Sequence, residues 1–290
     1  MKKSIQKKLV LMLMGCIVCF TACDLDTDKN GPVTVEKAIE ALTEFAKTSN
    51  QFSATVKESG NRVDDTGLND TKNLYGTKSY PIVSCEAQGN GSWLVICNYG
   101  PSLILCDDGY FRRGTVKILT TGLFTTPETV MTLTFEDFYQ KSDALSLEYK
   151  IEGTQVITNA GANKIDPEMT DYNVTVTDGL ITYNAKKIHY SETTVRTLSL
   201  NTTDLCENNW YITGEWNGIS SDNVSYNLKA NSTPLHFRLC CHYFQNGILN
   251  IDVDGLPAFS IDYGYSEEES DCDNKALLSY PGITPIVLNM

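Results

Sequence analysis

The chain has 290 residues, 41% of them hydrophobic, and carries 36 acidic against 23 basic side chains, a formal charge of −13. Phosphate backbones repel such a surface, and so do anionic bilayers, which argues against nucleic acid as a partner and against docking on lipid headgroups. The length suggests one or two domains with enough chain for a sizeable core. Abundant Tyr, Thr, Val and Ile among scattered Gly and Pro point to a β-rich fold.

The chain opens with Lys2, Lys3, Lys7 and Lys8, and no acid precedes Asp24. Residues 9–20 are almost all apolar. A basic segment followed by roughly 7–15 apolar residues reads as a secretory signal. A stretch of about 12 is too short for a membrane-spanning helix, which needs about 20. The stretch ends Phe20-Thr21-Ala22-Cys23. That ending resembles the lipobox of bacterial lipoproteins, in which small residues precede a cysteine that is acylated and becomes the first residue of the mature chain. Phe20 stands where the motif usually has Leu. Cys16 fits more loosely, and cleavage there would leave Ile17-Val18-Cys19-Phe20 as an exposed apolar tail. Cys23 is therefore the expected lipidation site. Each buried CH2 contributes about 0.8 kcal/mol, and stable anchoring takes more than one acyl chain. Asp24, Asp26 and Asp28 follow. Acids there resemble an export signal of Bacteroides-type bacteria, or serve simply as a solvated tether. The expected layout is a signal peptide at 1–22 and a tether at 23–32, with the mature chain held to the outer membrane by the lipid on Cys23, periplasmic or surface-exposed. Without the leader, 19 basic and 36 acidic side chains remain, a formal charge of −17.

Residues 34–48 place Val35, Ala38, Ile39, Leu42, Phe45 and Ala46 at helical spacing. Thr34 is the N-cap candidate. Residues 59–78, rich in Gly, Asn, Asp and Thr, read as loop, so 33–78 is a helix-and-loop segment. From Tyr80 onward the period is two: "GTVKI", "VMTLTF", "YKIEGTQVIT", "YNVTVT", "LITYN", "TVRTLSL" and "ILNIDV" alternate or carry β-branched runs. Asp178-Gly179 and Asp254-Gly255 separate such runs and read as hairpin turns, because a type I′ turn needs positive φ at both central residues. Asp108-Gly109 is a third turn candidate. The Thr-rich strands between 114 and 200 suit a sheet with one solvated face. The expected fold is all-β, an antiparallel meander or sandwich-like pair of sheets, with one short N-terminal amphipathic helix. The β-rich region spans 79–290 and is divisible into sub-domains 79–200 and 201–290.

Seven cysteines follow Cys23: Cys85, Cys97, Cys106, Cys206, Cys240, Cys241 and Cys272. Disulfides persist in an exported chain, and an odd number leaves at least one cysteine over. Two segments align. The first runs Cys85, "VICNYG", Cys106, "DDGYFRRGTVKI"; the second runs Cys240-Cys241, "FSIDYG", Cys272, "DNKALLSY". Each carries Asn/Asp-Tyr-Gly, at Asn98-Tyr99-Gly100 and Asp262-Tyr263-Gly264. The repeat predicts a Cys85–Cys106 bridge, and a second from Cys272 to Cys241 or Cys240, with Cys241 preferred. Closing loops of roughly 20–30 residues this way is worth about 3–4 kcal/mol. Cys97, Cys206 and the other vicinal cysteine stay unassigned; Cys97 would suit a small buried hydrophobe.

Three stretches, "YG…CDDGYFRRGTVKI", "FEDFYQ…YKIEGTQVITNAG" and "IDYG…CDNKALLSY", resemble a family of uncharacterised lipoproteins from Bacteroides-type bacteria. That family shows a Phe/Tyr-Gly…Cys…Arg-x-Gly pattern, an EGTxTVTN strand and a terminal DYGxGxCDNKA. The resemblance covers residues 85–280. It departs at Glu267-Glu268-Glu269, where the family has a tight Gly turn, and in the extra cysteines Cys97, Cys206 and Cys240. It implies fold and location, and no activity.

No Gly-x-Ser-x-Gly elbow, H-E-x-x-H, phosphate-binding loop or dinucleotide fingerprint occurs. With His189, His236 and His242 as the only histidines, triad chemistry has little to draw on. In "HFRLCCH", neighbouring positions on a strand point to opposite faces, which keeps Cys240, Cys241 and His242 from converging on one metal. The acidic "YSEEESDCDN" lacks the alternating form of a calcium loop and reads as solvated. No cofactor or metal is expected. Trp93, Trp210 and Trp216 are the candidates for stacking on sugars. Trp210 and Trp216 share a face if their strand is straight, and Gly214 could bulge it. The leading expectation is a non-enzymatic, lipid-anchored envelope or surface module, structural or binding an unknown protein or glycan. The alternatives are a surface glycan-binding protein and a hydrolase with an Asp/Glu pair about 5–9.5 Å apart in a cleft.

Overall fold

A computed structural model describes residues 32–69, 71–75, 81–142, 146–199, 208–238, 244–264 and 275–289. The described residues form one helix and fourteen strands in a single antiparallel sheet. The helix α1 is Val35–Thr66. The strands are β1 (Thr71–Tyr75), β2 (Ile82–Ala87), β3 (Trp93–Leu105), β4 (Phe111–Thr120), β5 (Val130–Lys141), β6 (Tyr149–Ala162), β7 (Thr170–Tyr183), β8 (Lys186–Ser199), β9 (Asn209–Ile219), β10 (Ser225–Arg238), β11 (Ile248–Val253), β12 (Phe259–Asp262), β13 (Lys275–Ser279) and β14 (Ile286–Asn289). Their order in the sheet is their order in the chain. The meander expected from sequence is therefore the architecture, and it is one continuous sheet rather than two packed ones. β8 pairs with β9 from Ser199↔Asn209 to His189↔Ile219, so no sheet boundary falls near residue 200.

The helix begins where the sequence places it. Thr34 is extended and its hydroxyl accepts the Lys37 amide at 3.4 Å. It ends far later than residue 48, at Gly67, whose φ of 55° makes the left-handed cap. Residues 59–66, expected as loop, are its last two turns. The buried stripe runs Ala38, Ala41, Phe45, Thr48, Phe52, Thr55, Ser59, Val63, Thr66 at unbroken steps of three and four. After Phe45 four of its six members are hydroxyl residues, which removes the apolar signal while leaving the helix intact.

α1 crosses one face of the sheet obliquely. Phe45 touches Tyr190 of β8, Trp216 of β9 and Tyr226 of β10. Phe52 meets Phe135 of β5 and Tyr190 of β8. Thr55 donates to Gln155 of β6 at 2.6 Å. Tyr99 of β3 donates to Glu58 at 3.2 Å. The Asp64 carboxylate accepts the Phe124 amide, beyond the end of β4, at 2.7 Å. The sheet's inner face supplies Val95, Ile118, Leu133, Ile151, Val174, Ile188, Leu228 and Ile251, all buried, and alternates with a solvated outer face.

Asp178-Gly179 is not a hairpin. β7 runs straight through it, and the pairing with β6 and β8 shifts there by a residue. The β7–β8 turn lies six residues on, at Asn184 and Ala185, both with positive φ (45° and 64°), between the paired Tyr183 and Lys186. Asp178 (φ 52°) forms a bulge opposite Gly153 (φ 112°), where a Cβ would stand 2.7 Å from the Asp178 carbonyl oxygen. The same device recurs two strands away, where Gly114 (φ 89°) lies against the backbone of Asp137. These bulges form a crease across β4–β7. The Arg-x-Gly and EGT motifs of the family resemblance place their glycines on it. Asp108-Gly109 and Asp254-Gly255 are turns, as expected: the Gly109 amide donates to Cys106 O at 3.1 Å, and Leu256 to Val253 O at 3.0 Å.

Candidate functional site

Two networks offer themselves, one between helix and sheet and one outside. The inner network is polar, and Thr48 Oγ1, Arg196 Nε, Trp216 Nε1 and the Tyr226 hydroxyl are buried on this face without a hydrogen-bond partner among the described residues. Glu44 accepts the Ser221 amide (2.8 Å), the Ser221 hydroxyl (2.7 Å), Tyr183 (3.2 Å) and Lys186 (3.1 Å). Burial alone would raise its carboxyl, but the Ser221 donors and the Lys186 ammonium outweigh it and hold the pKa below the ordinary value. Glu58 takes Arg62 Nε at 2.8 Å beside Tyr99. Glu192 takes Tyr190 at 2.8 Å and Arg196 at 2.7 Å. Arg112, fully buried, forks onto Asp108 at 2.7 and 2.6 Å and donates Nε to Gln140, which donates to Gln51 of the helix at 2.9 Å. Glu44 and Glu58 thereby tie the helix to the sheet.

The outer face carries two neighbouring open grooves. The larger, about 580 Å³, is floored by Asn227, Lys229, Asn250, Asp252, Ser260 and Ser279. Register explains the arrangement. Lys229 lies opposite Asn250, Asn250 opposite Ser260, and Ser260 opposite Ser279, so one row of polar side chains crosses four strands. A parallel row runs Ser191, Asn217, Asn227, Asp252. Adjacent strands place neighbours in each row about 4.8 Å apart. The β13–β14 hairpin tip walls this floor with Pro281, Ile283 and Pro285, where Ile283 is 54% exposed. The smaller groove, about 480 Å³, shares Asn227 and Asp252 and adds Asp178, His189, Ser191, Asn217 and Asp254. The Lys229 ammonium is paired with Glu215 at 3.0 Å.

The sequence-derived candidates fall elsewhere. Trp210 and Trp216 do share a face, because β9 stays in register with β8 through Gly214; the irregularity sits in β10, between Ala230 and Leu235. That face is the inner one. Trp216 is 3% exposed with its ring 6.1 Å from Phe45, and Trp210 is half-buried against Tyr172 at 5.9 Å. The sugar platform expected of this pair is therefore corrected: it faces the helix. Cys97 and Cys106 are buried free thiols, so the expected Cys85–Cys106 bridge is not formed. The repeat places a loop after Gly100, whereas β3 continues to Leu105. Cys85 is opposite Val95, which pairs with Ile118, whereas Leu105, next to Cys106, pairs with Phe111 seven residues further along β4, roughly 23 Å away at strand rise. What the two repeats share is a clasp: Asn98 Oδ1 accepts the Gly100 amide at 2.8 Å, and Asp262 Oδ1 accepts the Gly264 amide at 2.9 Å. Cys23, Cys241 and Cys272 lie outside the described residues.

The polar rows were missed because alternation reports only that a face is solvated, while row membership depends on register between strands. No family model, no curated protein and no solved structure matches this chain.

Proposed function

We propose that the chain is a lipid-anchored, non-catalytic module of the bacterial cell envelope, tethered through Cys23, that uses the outer face of its sheet to bind a partner. The observation that carries this reading is the division of labour between the two faces. The inner face is closed by the protein's own helix, pinned by Glu44, Glu58 and Gln51. The outer face carries the grooves. The arrangement favours binding over hydrolysis: Asp178, Asp252 and Asp254, the carboxylates that line the smaller groove, are all exposed, whereas an acid-base pair needs one carboxyl set apart by burial.

The test is an intact-mass measurement on protein extracted from membranes, with a Cys23→Ser variant beside it. The expected result is a mature chain beginning at acylated Cys23, and a variant released from the membrane fraction. An unmodified chain beginning at Met1 and recovered from the cytosol would overturn the reading.

A further inference from the structure

From the polar rows and their apolar wall we infer that the outer groove over β10–β13 is a binding site for a neutral, linear oligosaccharide. The inference rests on the envelope-module reading only for where the ligand would be met.

The floor offers two amides, Asn227 and Asn250, which donate to Asn217 Oδ1 and the Lys229 carbonyl and keep their oxygens and second N–H groups, with the hydroxyls of Ser260 and Ser279 and the Asp252 carboxylate. An amide both donates and accepts, and a carboxylate accepts two hydrogens at once. Together they match vicinal hydroxyl groups, each of which is also donor and acceptor. Asn227 lies opposite Asp252 and Lys229 opposite Asn250, so polar side chains follow one another across the floor at strand spacing. The wall is of another character. Pro281, Ile283 and Pro285 present carbon to the same space. A sugar ring has this asymmetry, with hydroxyls around its edge and C–H bonds on its faces.

Charge selects against the other polar polymers. Asp178, Asp252 and Asp254 line the joined grooves, and Lys229 is neutralised by Glu215. A uronic-acid chain, a phosphate backbone or an acidic peptide would meet net repulsion there. The grooves share Asn227 and Asp252 and are open rather than enclosed. That shape admits a chain lying across several strands and gives little to a small solute, which needs most of its surface buried.

The test is calorimetric titration of the full-length, detergent-solubilised protein with cellohexaose, maltohexaose, xylohexaose and mannohexaose, and with hexagalacturonic acid as the charged comparator. At least one neutral hexasaccharide is expected to bind with a Kd below about 1 mM, a ceiling for a usable weak site. The double variant Asn250→Ala/Asp252→Ala and the wall variant Ile283→Asp should each weaken that binding at least tenfold. Both sites are exposed, and unchanged melting temperatures will confirm the fold. No binding by any neutral hexasaccharide, equal or tighter binding of the uronic acid, or variants that bind like the parent would each overturn the inference. The mass of the mature N-terminus is independent of these results, so a failed titration leaves the lipid-anchored reading standing, and an unacylated chain leaves the groove chemistry to be judged by the titration alone.

Discussion

The rings of Phe52 and Tyr190 lie face to face, their centroids 5.2 Å apart and their planes 6° from parallel. Gly179 makes room for that stack: a Cβ there would stand 3.3 Å from the tip of Phe52 and 2.5 Å from the Tyr190 carbonyl oxygen. Phe52 is fully buried. Phe52→Ala is expected to cost about 3–5 kcal/mol, the range for removing a buried aromatic ring. Urea unfolding followed by circular dichroism measures it, and a loss under about 1 kcal/mol would show that the helix is not seated by this contact.

Gly153→Ala tests the crease. At φ 112° an alanine is strained, and its Cβ would press on the backbone of Asp178. A residue forced into such a region costs about 1–3 kcal/mol before the clash is counted. Gly89→Ala, at a turn where nothing lies within 4 Å, is the control and should be near neutral. The difference between their urea midpoints is the readout.

Arg112 is fully buried, and Asp108 and Gln140 have their side chains arranged around it. Arg112→Met should cost about 3–5 kcal/mol, because it strands a carboxylate and an amide. Arg112→Lys should recover only part of this, since an ammonium does not reproduce the two-pronged contact. Equal stability of the two variants would mean that charge alone matters.

Glu44 sets a direction for pH dependence. Its folded pKa is lowered by the Ser221 donors and Lys186, against the opposing effect of burial. A carboxyl lowered on folding contributes stability that is fully present above its unfolded value and lost as pH falls through the folded one. Between about pH 7 and about pH 3 the parent should therefore lose more stability than Glu44→Gln, and the two curves should converge at the acid end. Chemical unfolding at intervals across that window checks it; parallel curves would remove Glu44 from the acid response.

Cys97 should be chemically silent in the native protein. Burial pushes its thiol up to about 12, with the Glu58 carboxylate adding to the effect. Only the thiolate reacts. At about pH 8 iodoacetamide should leave Cys97 unlabelled in the folded chain and modify it after denaturation. Peptide mass mapping distinguishes the two, and rapid native labelling would contradict the packing around β2 and β3.

The class of fold was legible because period-two runs from Tyr80 onward leave little else to build. Thr34 was legible as a cap because its chemistry is local. The far half of the helix was hidden by Thr48, Thr55 and Ser59, which sit on the inner stripe as hydrogen-bonding or small contacts; they fit there because Gln155, Gln140 and Phe124 meet this part of the helix. Asp178-Gly179 satisfies the local requirements of a turn and of a bulge equally well. Gly153 on the next strand selects between them, and a pairing between strands is not visible in either strand alone. The Cys85–Cys106 expectation failed for the same reason, since it assumed that β3 stops at Gly100. The candidate binding floor was the least legible part, for its members come from four separate strands and only register aligns them.

Because the strands are laid down in the order in which they are made, each finds its hydrogen-bonding edge already in place when it emerges. The helix that fills the inner face comes before them all. A chain delivered amino end first, from a ribosome or through a secretion pore, could thus assemble like a fan opened rib by rib, with no early strand left waiting for a late one. Sequence-local pairing of this kind lowers the entropy of search and shortens the life of unpaired edges. The β13–β14 rib carries the Pro281–Ile283 tip, so the outer groove is completed only after the strands that floor it have emerged.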